Sequence, residues 1–156
     1  MAYSFKRVID ITLKEGFCVL SKPCHGWSRI DINSFSGRLS YLVDVPFVWL
    51  NSCLFSLKHH TPLSLYMDEE GSDCIIVSYD TTTIIVNREE TSYIEFNNLN
   101  YVQLAEAVLH DIKKDVDAWV DFTYDDNSSR GEGREKRKAA LLELITIVGQ
   151  TLVEIK

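Results

Sequence analysis

The hydrophobic pattern is clearest between residues 61 and 122. Four short apolar runs, Leu63–Met67, Cys74–Tyr79, Thr83–Asn87 and Tyr93–Phe96, are separated by polar turns. Connections this short predict antiparallel neighbours rather than a parallel crossover. In Ile75-Ile76-Val77 both alternate faces are apolar, the pattern of a central strand under a helix. The runs feed a long helix over Tyr101–Phe122, with Asn100 as its cap. Tyr101, Leu104, Ala105, Val108, Ile112, Val116 and Trp119 fall on one stripe at the 3.6-residue period. Asp115 breaks that pattern by lying among them, so it is expected half-buried or at a partner-facing rim.

The flanks are less regular. Phe5, Val8, Ile9 and Leu13 recur at helical spacing, predicting an N-terminal helix over residues 3–15 that stops at Gly16. Residues 21–38 carry Pro23, Gly26 and Gly37 among serines, predicting loop with a short strand at Ser28–Ile32. Residues 39–58 predict a helix apolar around almost its whole circumference, hence buried, with Asp44 as cap and Pro46 in the first turn. Residues 123–134 predict a mobile loop. Ala139–Ile155 returns to helical spacing. Its preceding basic run opposes the macrodipole unless Glu132 and Glu135 compensate. The expected fold is α+β in one domain over residues 1–156. An antiparallel meander of three to five strands packs on a long helix, with N-terminal and C-terminal helices beside it.

A 46% hydrophobic fraction in 156 residues is enough to build a core, which argues against disorder. No apolar run reaches the length of a membrane span, and the first residues lack a secretory signal's order, so a cytoplasmic location is expected. Cys18, Cys24, Cys53 and Cys74 then read as reduced thiols. The net charge of −7 is unevenly placed: residues 1–60 carry +3, residues 61–126 carry −12 and residues 127–156 carry +2. An acidic middle repels nucleic acid and anionic membranes and favours a basic protein partner.

Catalytic signals are weak. Cys24-His25 has the residue types of a thiol nucleophile and its base, but adjacency is poor support for a dyad. Cys18, Cys24, His25, His59 and His60 lack zinc spacing, and no cofactor or metal is expected. The phosphate-cradle and calcium-loop patterns are missing. The basic run Arg134–Lys138 has no interleaved aromatics and sits in an acidic chain, contrary to a nucleic-acid footprint.

The acidic turns are the remaining signal. The leading expectation is a non-enzymatic, protein-binding inhibitor, an immunity protein (antitoxin) that blocks a basic toxin domain such as a nuclease. The expected contact residues are Asp68, Glu69, Glu70, Asp73, Glu89, Glu90, Asp117 and Asp121. The alternatives are a secretion chaperone that holds an effector as a dimer, and a small enzyme using Cys24 and His25 or a buried Asp115. The sequence leaves the oligomeric state open and leans to a monomer.

Overall fold

The computed structural model describes residues 5–10, 18–20, 28–32, 35–40, 45–67, 71–89, 92–121 and 131–155. It is an α+β fold with two sheets and four helices among the described residues. The larger sheet has five strands in the order β1-β8-β7-β6-β5: β1 (Phe5–Asp10), β5 (Leu63–Tyr66), β6 (Cys74–Ser78), β7 (Thr82–Asn87) and β8 (Ser92–Asn97). The smaller sheet is β2 (Cys18–Leu20), β3 (Ser28–Ile32) and β4 (Phe35–Ser40) in chain order.

The meander from β5 to β8 is antiparallel throughout, as the short turns require. Its inner rows are fully or nearly buried: Leu63 and Leu65, Cys74 and Ile76, Ile85, Ile94 and Phe96. These form one cluster with Trp49, Leu50, Leu104 and Val108 of the helices. Two hydroxyls enter this core without an energetic penalty because each is bonded. The Ser78 and Thr83 hydroxyl oxygens are 2.6 Å apart, and Thr83 donates to the Leu99 carbonyl at 2.8 Å. The Tyr101 N–H bonds the Tyr79 carbonyl at 2.9 Å, so the β6–β7 turn also anchors the start of the next helix.

The N-terminal segment differs from the helix expected there. Residues 5–10 are a strand, parallel to β8, with Phe5 opposite Ser92 and Asp10 opposite Asn97. Local spacing favoured a helix, but the open edge of β8 offers a full ladder of backbone partners. Residues 11–17 lie outside the described set. Strand β4 corrects a second expectation, the loop over residues 21–38 and the helix from residue 39. Ile30, Ile32, Phe35 and Leu39 carry the small sheet into the common core.

Helix α1 is Val45–His59, with Pro46 in its first turn; residues 39 and 40 of the expected helix are strand, and residues 41–44, with the expected Asp44 cap, lie outside the described set. It is not buried all round, because Phe55 is 62% exposed. It ends in a Schellman turn. His60 takes φ 53°, and the Thr61 N–H reaches back to the Ser56 carbonyl at 3.2 Å.

The long helix is two helices. Helix α2 (Tyr101–Lys114) opens with a capping box in which Asn100 and Gln103 bond each other's backbone N–H. It closes at Asp115, whose φ of −131° is not helical. Helix α3 (Val116–Asp121) restarts from the Asp115 carbonyl, which accepts from Trp119 N–H at 3.1 Å. Asp115 is half-buried at this break, so its odd position on the apolar stripe marks a joint. Helix α4 (Gly131–Ile155) begins earlier than the apolar pattern indicated. Residues 131–134 of the expected loop are therefore helical, and residues 123–130 lie outside the described set. No helix among the described residues is long and apolar enough to cross a membrane.

Candidate functional site

The eight acidic positions divide three ways. Asp68, Glu69, Glu70 and Glu90 lie outside the described residues. Asp73 does not sit on an outer face. It is 9% exposed, and its carboxylate accepts from Arg38 N–H at 2.8 Å and Arg38 Nε at 3.3 Å. The Asp73 N–H returns a bond to the Arg38 carbonyl at 3.3 Å. Asp73 thus bolts β4 of the small sheet to the entrance of β6. Burial forces this arrangement, since a carboxylate taken from water must find donors.

Glu89, Asp117 and Asp121 are exposed, and each is in an ion pair. Arg38 Nη2 reaches Glu89 at 2.7 Å. Arg134 meets Asp121 at 2.6 Å and Asp117 at 3.1 Å, and Lys138 meets Asp117 at 2.9 Å. Hydrogen bonds from Lys138, and then from Arg134, hold the Asp117 carboxyl below its ordinary value. The same two acids push the Arg134 guanidinium further toward its charged form. The cations come from the outer thirds of the chain and the carboxylates from the acidic middle. The basic start of α4 is thereby balanced by Asp117 and Asp121 of α3 as well as by Glu135, whose carboxylate Arg134 also reaches.

The outer face of the larger sheet carries a different signal. Register aligns Tyr66, Ile75, Val86 and Tyr93 in one row across β5, β6, β7 and β8. The adjacent row is Ser64, Val77, Ile84 and Glu95. Solvent reaches every member of both rows, and Tyr66 is 51% exposed. Six apolar side chains therefore share a half-open face. The sequence held a sign of this, because Ile75-Ile76-Val77 is apolar on both faces. A covering helix was one reading of that pattern; an open binding face is the other.

Groups that chemistry would need are quiet or unseen. Burial pushes both the Cys53 and Cys74 thiols up to about 12, so neither is a thiolate at neutral pH. Cys24 and His25 lie outside the described residues. His59, at the end of α1, packs its ring against that of Phe55, with centroids 4.4 Å apart and the planes tilted by 41°. Among the described residues no three His, Cys, Asp or Glu side chains converge as metal ligands would. Comparison with protein-family models, with curated proteins and with solved structures returns no match for this chain.

Proposed function

We propose that this chain is a cytoplasmic protein-binding inhibitor of the immunity-protein (antitoxin) class, and that it docks its target on the open face of the larger sheet. The observation that carries the reading is the pair of cross-strand rows built on Tyr66, Ile75, Val77, Ile84, Val86 and Tyr93. A half-exposed aromatic and aliphatic platform of this kind is the usual centre of a protein interface. The net charge of −7 selects a basic partner and speeds its approach, which suits a nuclease-type toxin domain. Glu89, Asp117 and Asp121 keep side-chain exposures of 67%, 65% and 55%, so an incoming cation has access to their oxygens. In this reading Glu89, in the turn between β7 and β8, contributes beside the apolar rows that hold the complex, while Asp117 and Asp121 stay clasped to α4.

The test pairs capture with rescue. The tagged chain is expressed in its own cell, and proteins bound to it are identified. The expected partner has a basic domain that arrests growth when expressed alone. Co-expression of the wild-type chain restores growth, and an Ile84→Arg chain of unchanged melting temperature does not. A captured protein that is harmless on its own, or full protection by Ile84→Arg, overturns the proposal.

A further inference from the structure

A second surface lies away from the sheet. Helix α4 runs antiparallel to the α2–α3 pair, with Leu109 of α2 beside Gly149 and Asp117 of α3 beside Lys138. Between them is an open groove of about 1060 Å³. Leu109, Lys113 and Val116 form one wall, and Leu142, Gly149 and Val153 mark the other. Leu142 is 44% exposed and Val153 is 75% exposed, the highest value among the exposed large apolar side chains.

The row along α4 is Leu142, Thr146, Gly149, Val153, with steps of four, three and four residues. That spacing is unchanged when the helix is reversed. An antiparallel copy that sets Leu142 against Val153 therefore also sets Thr146 against Gly149, and each contact occurs twice. This self-matching is what a two-fold interface requires. Large aliphatic groups meet at both ends of the row. The centre holds a glycine whose nearest foreign atom, from a Cβ built there, is 3.9 Å away. Leu109 of α2 lies at van der Waals distance from that position, so the missing side chain serves the close approach of two helices within one copy.

Charge points to the same occupant. The charged groups lining the groove are one of each sign, Lys113 on α2 and Glu154 on α4. With Leu109 beside Gly149, Lys113 lies level with Ile145 of its own α4. In the reversed register Ile145 faces Gln150 of the mate. Glu154 of the mate is then one helical turn further, about 6 Å along the axis. A lysine arm spans that distance. Each Lys113 thus meets a Glu154 from the other copy, and the pairing is reciprocal.

We infer that the α2–α4 groove is a homodimer interface, occupied by α4 of a second copy in antiparallel register. The inference is independent of the proposed inhibitor role, because it uses a different surface. Sedimentation velocity on the full chain tests it across concentrations of about 1 to 100 µM, the range where a modest dimer becomes visible. The expected result is a dimer that Val153→Asp weakens by about tenfold or more, with no change in secondary structure. Lys113→Glu and Glu154→Lys are each expected to weaken it, and the double reversal to restore it. Monomer alone at the top concentration, a dimer indifferent to Val153→Asp, or a double reversal that fails to rescue overturns the inference.

Discussion

Gly37 illustrates how tightly single positions are held. A Cβ at this residue would lie 2.9 Å from Cys74 Cβ and 2.9 Å from the Phe35 ring. Cys74 Cβ is fixed to the β6 backbone and is fully buried, so it has nowhere to move. The expected effect of Gly37→Ala is a loss of about 1–3 kcal/mol from overpacking. Urea titration checks this, with a lower midpoint and an unchanged slope as the signature. The neighbouring Arg38 and Asp73 show the complementary case. Their mutual bonds let a carboxylate sit beside the core without being stranded. In the sequence Asp73 is one more turn carboxylate. Nothing local distinguishes a buried acid from a solvated one when its donor is 35 residues away.

Elements record the competition between local preference and distant partners. Helix α1 ends where His60 adopts a left-handed conformation that glycine tolerates better than histidine. His60→Gly is therefore expected to stabilise the fold by about 0.5–1 kcal/mol, read as a higher thermal midpoint. His60 is exposed, so little packing is lost. The four-strand meander and the cap of α2 were legible because their causes are local: alternation, turn residues and Asn100 three residues before Gln103. Strand β1 was not. Phe5, Val8 and Ile9 satisfy a helical period, whereas in a strand Val8 is out of step with the other two, and only pairing with β8 overrides that local pattern. The break at Asp115 was half-legible. Its polar side chain disagreed with the stripe, but a misplaced residue signals either burial or a joint.

Across the whole molecule, the charge split becomes a set of clasps. Arg38 from the first third holds Asp73 and Glu89, and Arg134 and Lys138 from the last third hold Asp117 and Asp121. Asp117 makes the clasp between α3 and α4 sensitive to acid. Its folded value lies below 3.8, so its contribution is fully present above that pH and is lost as pH falls through the lower folded value. Asp117→Asn is expected to be less stable than wild type at neutral pH and to converge with it in acid. Melting curves at neutral pH and at successive steps below pH 3.8 measure the difference and its loss. The acidic middle was visible from counting residues, yet its pairing was not, because ion pairs across three thirds of a chain leave no local trace. The open sheet face was hidden for a related reason. Apolar alternation on both faces of a strand does not say which of them is covered.

The parallel seam between β1 and β8 has a consequence for the order of events at the ribosome. Phe5 waits for Ser92, and in the sheet β1 borders β8 alone. Strand β1 leaves the exit tunnel ahead of β2 to β7 and finds its place only after β8 has followed. Until then its backbone groups stay hydrated, and the β8 flank stands unguarded against other nascent chains.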